Sequence, residues 1–242
     1  MSNCYLITGA SSDVGMALLR RLYRDGDVFL CQGAGDTDPL KVIGKNHPGI
    51  FTFDVDLGSE ESVENFIASV RKDYPTPTHL VHLPALRVVN TKFKNFDEER
   101  FSTDFCVQVT SALKLCKAFI PGMAKSHYGR VLFMLTDYLL DMPPRNTAAY
   151  IMAKSAVQGL MKSLAADYAP HGVTVNGVAP SMMQTKFLAD TSPLIVEAAA
   201  AAHPMKRNAR VEDVIPAMEF LLSEEAGFIT GVTLPVTGGL HI

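Results

Sequence analysis

Short runs of apolar and β-branched residues alternate along this chain with longer segments in which apolar residues recur every three or four positions. The short runs predict strands at residues 5–8, 28–31, 50–53, 80–82, 131–135, 173–178 and 233–236. Alternation of this kind is typical of parallel strands, which need crossover connections. The pattern predicts an α/β fold with a doubly wound parallel sheet of about seven strands and helices on both faces.

The domain organisation follows from the absence of breaks in that pattern. No internal repeat or low-complexity linker interrupts the sequence, so residues 1–242 are predicted to form a single domain. The pattern weakens at residues 181–205, which include an alanine-rich helical segment at 198–202. Residues 181–205 can be interpreted in two ways: as a substrate lid over the carboxyl ends of the strands, or as an ordinary surface helix.

Composition and charge argue against several classes of binding partner. The net charge is −3 with acidic and basic residues interspersed, so we expect no nucleic-acid partner. No apolar run approaches the roughly 18 residues of a membrane span, so no membrane partner is expected. The four cysteines (Cys4, Cys31, Cys106 and Cys116) form neither a CxxC pair nor a zinc pattern. We therefore expect no metal, reduced thiols and a cytoplasmic location.

A glycine-bearing turn at residues 8–15 follows the first predicted strand and precedes a helical pattern. Gly9 permits a tight turn and Gly15 permits close helix packing, while free N–H groups of the first helical turn can receive a pyrophosphate. Ser11 and Ser12 add hydroxyl donors. The order of strand, glycine turn and helix favours a dinucleotide site, although such turns also occur in ordinary loops.

Two acidic residues near this turn, Asp13 and Asp54, are also candidates for roles at the cofactor site. Asp13 would repel a pyrophosphate unless it points away or caps the helix, and we favour the N-cap. Asp54 and Val55 end the third strand, where they suit an adenine edge, although aspartate is also a routine turn residue. The choice between NAD and NADP stays open, because only Asp36 or Asp38 could reach back to select NAD.

Tyr150 and Lys154 lie one helical turn apart at the start of a predicted helix. A lysine ammonium beside a phenol favours the phenolate, so we expect the pKa of Tyr150 to fall below its ordinary value of about 10. The tyrosine would then serve as a general acid or base.

Seven motifs, spaced along nearly the whole chain, together point to one protein family. They are residues 8–15, 54–55, 129–131, 150–154, 175–180, 229–231 and 238–239. With them the chain resembles the short-chain dehydrogenase/reductase family over nearly its whole length, and is similar to its 3-oxoacyl-[acyl-carrier-protein] reductases. The resemblance implies a Rossmann fold, NADP or NAD as cofactor, and a tyrosine that protonates the carbonyl oxygen beside a lysine that holds the nicotinamide ribose. The cofactor residues it implies are Gly9, Ser11, Ser12, Asp13, Val14, Gly15, Asp54, Val55, Leu83, Pro84, Tyr150, Lys154, Pro180 and Thr185.

Several positions depart from the pattern of that family. Thr136 stands where the family has its active-site serine, and we expect it to orient the substrate, or else to serve only the strand. Gln108 stands at the place of a helical asparagine with a relay role. Leu83 and Pro84 replace a polar segment, with His82 expected to be a packing residue, and Asp137 is expected to face solvent.

The leading hypothesis is an oxidoreductase that transfers hydride between nicotinamide and a small-molecule carbonyl or alcohol, with an acyl-carrier-linked substrate as one candidate. A small ketone, sugar or sterol-like alcohol stays open, because the histidines expected at the mouth, His127 and His171, are largely neutral at pH 7. One alternative is a catalytically impaired dinucleotide-binding regulatory or scaffold protein, marked by the altered positions. Another is an isomerase or dehydratase that uses the same tyrosine.

Two apolar helices predict self-association. The helix through 112–123 and the one after Tyr150 carry apolar residues on more than one face, among them Met152, Val157, Met161 and Leu164. In the family the matching helices form interfaces, so a homotetramer or homodimer is expected. The alternative is that these side chains pack only on the sheet.

Overall fold

The computed structural model describes residues 2–35 and 37–240. Within them a seven-stranded sheet has the order β3-β2-β1-β4-β5-β6-β7, and neighbouring strands pair in parallel throughout. All seven predicted strands are confirmed, several slightly longer than expected. They are β1 (Cys4–Thr8), β2 (Val28–Gly33), β3 (Ile50–Asp54), β4 (His79–His82), β5 (Gly129–Met134), β6 (Val173–Pro180) and β7 (Thr233–Val236).

Helices connect the strands and cover both faces of the sheet, which confirms the doubly wound architecture. They are α1 (Asp13–Leu22), α2 (Asp38–Asn46), α3 (Glu60–Asp73), α4 (Glu98–Phe105), α5 (Ser111–Lys125), α6 (Ala148–Tyr168), α7 (Pro193–Ala202) and α8 (Val211–Leu222). One apolar cluster joins the sheet to α3, α5 and α6, and the other joins it to α1, α2 and α8. None of the helices in the described part is both long and apolar enough to span a membrane.

Helix α6 packs its inner face on the sheet. Val157 and Met161 belong to the core cluster, with 2% and 0% of their surface exposed, so these two side chains are not evidence for an interface. Met152 on the same helix, by contrast, is 48% exposed, and Leu113 on α5 is 50% exposed. The outer face of each helix therefore keeps an exposed apolar side chain.

The strand order reverses direction between β1 and β4. Connections from these two strands leave toward opposite faces of the sheet, and the divergence opens a crevice beyond their carboxyl ends. Thr8 and His82 mark those ends and pair across the two strands. The glycine turn after β1 and the segment after β4 therefore both border the crevice.

Candidate active site

A cleft of about 800 Å³ occupies this crevice. Its volume is in the range of small-molecule and cofactor sites. The structure brings most of the predicted site residues together on its walls, namely Gly9, Ser11, Ser12, Asp13, Val14, Leu83, Pro84, Thr136, Tyr150, Lys154, Pro180 and Thr185. Gly15, Asp54, Val55 and Gln108 do not line it.

The glycine turn has the geometry of a phosphate cradle. Gly9 has φ +71°, and a Cβ there would lie 3.2 Å from the Leu83 Cβ. A Cβ on Gly15 would lie 2.6 Å from the Gly9 carbonyl oxygen, so the helix start can approach the turn only because residue 15 is glycine. Ser12 caps α1, since its Oγ accepts from the Gly15 N–H at 3.0 Å. The N-terminus of α1 thus faces the cleft, as an anion site requires.

The expectation that Asp13 caps α1 is wrong. Ser12 occupies the N-cap, and Asp13 is the first residue of the helix. Its Oδ2 accepts from the backbone N–H of Lys186 at 2.7 Å, because the segment 181–205 crosses above the glycine turn. Asp13 therefore ties this segment to the cradle, and its charge is directed at an N–H donor.

The end of the cleft that is expected to receive the adenosine has different walls from those predicted. Asp54 is exposed and Val55 is buried, and the wall at this end is formed by the next two residues, Asp56 and Leu57. Gln32 is fully engaged, accepting from the Gly9 N–H at 2.9 Å and donating to the Val55 carbonyl at 2.8 Å.

Of the two acids considered for cofactor selection, Asp38 does not line this end of the cleft. Asp38 is exposed and pairs with Lys41 at 3.7 Å. Asp36 lies outside the described residues.

The segment that follows β4 is apolar where it contacts the glycine turn, at Leu83 and Pro84. Leu83 is buried and donates its N–H to the Thr8 carbonyl. His82 is a packing residue, as expected: its ring nitrogens contact the Thr8 hydroxyl at 2.8 Å and the Gln108 carbonyl at 3.0 Å. Burial lowers the pKa of His82 to about 3, so the ring is neutral at pH 7.

Thr136 lies at the carboxyl end of β5, and its hydroxyl lies near Tyr150. The hydroxyl also donates to the Asp137 carboxylate at 3.3 Å. Asp137 is only 2% exposed, so the expectation that it faces solvent is wrong. The short 3-10 turn at Asp137–Leu139 folds the aspartate inward beside the threonine.

The tyrosine and lysine come together as predicted, but their electrostatics differ. The Lys154 Nζ lies 5.8 Å from the centre of the Tyr150 ring and donates to the Met134 carbonyl at 2.8 Å. Burial raises the pKa of Tyr150, and a hydrogen bond with Thr136 partly opposes the rise. Burial also lowers the pKa of Lys154 to about 8. The expected lowering at Tyr150 is therefore wrong for this structure, because loss of hydration on burial is the largest influence on its pKa.

Gln108 is fully buried beneath the cleft in a π-helical turn, Cys106–Thr110, between α4 and α5. Such turns occur frequently at functional sites. Its Nε2 donates to both carboxylate oxygens of Asp104, each at 2.8 Å. The side chain therefore does not line the cleft, and any effect on the reaction would pass through its neighbours.

The segment 181–205 covers one side of the cleft. Thr185 faces it with a hydroxyl that makes no hydrogen bond within the described part of the chain. The Ser181 Oγ is buried at the cleft wall and likewise lacks a described partner. Two hydroxyls are thus available to a ligand that enters under this segment.

Basic side chains line the mouth, from three separate segments. Arg87, Arg145 and Lys186 all border the cleft, and Arg87 also pairs with Asp190 at 2.8 Å. His127 and His171 instead precede β5 and β6, at the opposite end of the sheet, so the expectation that they flank the mouth is wrong.

Sequence reasoning missed Asp104, Ser181 and the mouth cations. Asp104 was detectable in principle, because it stands four positions before Gln108 and residues at that spacing face each other on a helix. The mouth cations gave no signal, since their loops are far apart in sequence.

A substitution at Thr136 tests its role. Thr136→Val keeps the shape and removes the hydroxyl, so we expect kcat/KM to fall about 10-fold, the value of one neutral hydrogen bond. Thr136→Ser is the matched control and should retain most activity. Steady-state kinetics on purified variants gives the answer, and wild-type kcat/KM in the valine variant would contradict the role.

Comparisons with known proteins agree with this geometry. A family model described as enoyl-(acyl carrier protein) reductase matches residues 9–241. The chain belongs to the short-chain dehydrogenase/reductase family. At this level it is an NAD(P)-dependent oxidoreductase.

Relatives and solved structures of this family span the whole chain. The chain is 28% identical to 3-oxoacyl-[acyl-carrier-protein] reductase FabG of Pseudomonas aeruginosa, over 98% of this chain and 96% of that protein. It is 25% identical to D-beta-hydroxybutyrate dehydrogenase of Rhizobium meliloti, over 99% and 98%. A putative NAD(P)-dependent gluconate 5-dehydrogenase from Beutenbergia cavernae, solved with bound NADP, superposes with TM-score 0.89 at 26% identity, over 98% and 96%.

Proposed function

We propose that this short-chain dehydrogenase/reductase reduces the carbonyl of a 3-oxoacyl thioester or a small ketone. The observation that carries the proposal is the convergence of Tyr150, Lys154 and Thr136 on the wall of a cleft that also holds the glycine cradle. The bound dinucleotide would supply the hydride. The relatives named as 3-oxoacyl-carrier and hydroxybutyrate enzymes support a substrate with a carbonyl or hydroxyl at position 3.

The other steps of the proposed reaction are assigned to residues of this chain. The Gly9–Gly15 turn and Thr185 would hold the dinucleotide, and Tyr150 would give its phenolic proton to the substrate oxygen. A raised pKa suits this direction, because it keeps the phenol protonated and able to act as an acid at neutral pH. Thr136 would hold the same oxygen, and the Lys154 ammonium would stabilise the phenolate that forms.

The mouth favours a carrier-linked substrate. Arg145 and Lys186 have side chains that pair with no other described residue, so both can meet an anionic group. Two prolines precede Arg145, and Asn146 after it adopts φ +69°, with its carbonyl held by the Thr91 N–H. The backbone around Arg145 is therefore fixed. A phosphopantetheine arm presents a phosphate that a guanidinium binds well.

We expect Arg145→Gln to raise the KM of a phosphopantetheine-linked 3-oxoacyl substrate about 5-fold, since an exposed ion pair contributes up to about 1 kcal/mol. The KM of the matching N-acetylcysteamine thioester, which lacks the phosphate, should not change. Lys162→Gln, on the exposed face of α6, is the control for loss of charge. Equal effects on both thioesters would count against phosphate recognition.

The central experiment is a fluorescence titration with NADH and NADPH, followed by the loss of reduced-nicotinamide absorbance with 3-oxoacyl thioesters and small ketones. Saturable binding together with turnover supports the proposal and reveals the preferred cofactor. Tight binding without turnover of any substrate would instead support the regulatory interpretation.

We further propose a cytoplasmic homotetramer or homodimer. The exposed apolar side chains of Leu113 and Met152, on the helices whose counterparts form interfaces in the family, support self-association. Sedimentation equilibrium gives the stoichiometry directly.

A further inference from the structure

Asp13 is an acidic residue on the wall of the cleft, at the start of the helix that forms the phosphate cradle. Ser12 already caps this helix, so α1 does not need the Asp13 carboxylate as its cap. Within the described residues the Asp13 side chain forms no ion pair, and its Oδ2 accepts from the backbone N–H of Lys186 at 2.7 Å. The cradle thus carries a negative charge that is directed at another segment of the chain.

The N–H group that Asp13 binds begins a short 3-10 turn, Lys186–Leu188. The first N–H groups of a helical turn have no acceptor within it. Thr185 precedes the turn, but its hydroxyl makes no capping hydrogen bond. Asp13 supplies an acceptor from α1 instead, so the Thr185 hydroxyl stays available on the wall of the cleft.

This 3-10 turn is part of the cleft wall and is fastened on both sides of it. Four consecutive residues line the cleft, namely Thr185, Lys186, Phe187 and Leu188. Before them, Gln184 donates its N–H to the Ala209 carbonyl at 3.0 Å, and after them Asp190 pairs with Arg87 at 2.8 Å. Arg87 follows β4 and Asp13 follows β1, so the turn is tied to both of the loops that border the crevice.

The ties to these two loops differ in strength. The side chains of Arg87 and Asp190 are 49% and 65% exposed, and ion pairs with this exposure contribute little. Asp13 is half-buried, and its contact is a charge-assisted hydrogen bond, which is roughly twice as strong as a neutral one. Its donor is a backbone group, so the contact fixes the chain itself. Asp13 is therefore the stronger of the two ties.

We propose that Asp13 is a positioning residue for the dinucleotide, whose carboxylate holds the Lys186 backbone so that the Thr185 hydroxyl meets the bound cofactor and slows its release. The inference rests on the role of Thr185 in the proposed function. The negative charge of Asp13 has the opposite effect, because it lies at the helix start that would receive the pyrophosphate. Substitutions can separate the hydrogen bond from the charge.

Two neutral variants isolate the hydrogen bond. Asp13→Asn removes the charge but keeps an acceptor oxygen for the Lys186 N–H, whereas Asp13→Ala removes both. We expect NADH and NADPH to dissociate about 10-fold faster from the alanine variant than from the asparagine variant, the value of one such hydrogen bond. Stopped-flow displacement, followed by the fluorescence of the reduced dinucleotide, measures the two rates. Equal rates would overturn the proposal.

A double-mutant cycle tests whether the effect passes through Thr185. In a Thr185→Val background the hydroxyl is absent, so the asparagine and alanine variants should differ by less than about 2-fold. A difference as large as that in the parent background would overturn the proposal. Glu61→Ala is the matched control, because Glu61 is an exposed acid in the first turn of α3, another helix with a serine cap. It should release the dinucleotide at the wild-type rate.

A second readout needs no dinucleotide. The Lys186–Phe187 bond is a trypsin site inside the turn, so we expect trypsin to cut it about 10-fold faster in Asp13→Ala than in Asp13→Asn. Cleavage after Lys125, which ends α5 at the opposite end of the sheet, is the internal reference. If the alanine variant does not fold, Asp13→Gly removes the same acceptor. No turnover by the wild type would refute the reductase function, whereas equal release and cleavage rates in the two neutral variants would refute only this inference.

Discussion

We expect Tyr150→Phe to lower kcat about 10²- to 10⁴-fold, the contribution that one general acid makes to proton transfer. The ring of the variant keeps its edge contact with Tyr138, whose centre lies 6.4 Å away, and the glycine cradle is untouched. Only the phenolic hydroxyl, with its proton, is removed. Burial keeps that proton on the wild-type phenol at neutral pH, so its loss should be felt in full during carbonyl reduction.

Turnover and NADPH fluorescence titration on the same preparation separate chemistry from binding. The dissociation constant should stay near the wild-type value, since the hydroxyl alone is lost. Tyr168→Phe, at the far end of the same helix α6, is the matched control and should behave as wild type. A Tyr150→Phe enzyme that retains a tenth or more of wild-type kcat would exclude the tyrosine as the acid.

Two buried histidines should make the fold sensitive to acid. Burial lowers the pKa of both His79 and His82 from 6.5 to about 3. Between these values the unfolded chain binds more protons than the folded chain, so stability falls as the pH decreases from about 6.5 toward 3. Each histidine contributes about 1.4 kcal/mol per pH unit, so the pair should cost about 2 to 3 kcal/mol per unit in this window.

Urea unfolding at a series of pH values measures this slope. His79→Phe keeps the stacking on Tyr5, where the ring centres are 4.2 Å apart, and removes one titrating group, so it should reduce the slope by about half. Met142→Leu alters an exposed side chain that does not titrate, and it should leave the slope unchanged. A stability profile that is flat between pH 6.5 and 4 would show that neither ring resists protonation.

The periodic features of this chain could be read from its sequence. Five of the seven strands are buried along almost their whole length, which needs continuous apolar runs. The glycine turn and the Tyr150–Lys154 pair are local motifs. Each involves residues within one element or at one junction, where sequence spacing determines which side chains meet.

Tertiary effects could not be read in this way. The inward fold of Asp137 and the direction of the shift at Tyr150 depend on how much water the surrounding elements exclude. The contact between Asp13 and the Lys186 N–H joins positions 173 residues apart, and no local rule indicates it. The π-helical turn at Cys106–Thr110 is held by Asp104 and His82, one of which belongs to a strand.

The place of β1 inside the sheet, between β2 and β4, has a consequence for the order in which the chain can assemble. One neighbour of β1 is β2, the next strand along the chain, but the other is β4, and the paired residues Thr8 and His82 are 74 positions apart. Closing so long a loop costs entropy before any pairing is gained. During synthesis, one edge of β1 therefore stays unpaired until β4 has left the ribosome. The glycine turn and the segment after β4, which both border the crevice, can come together only then.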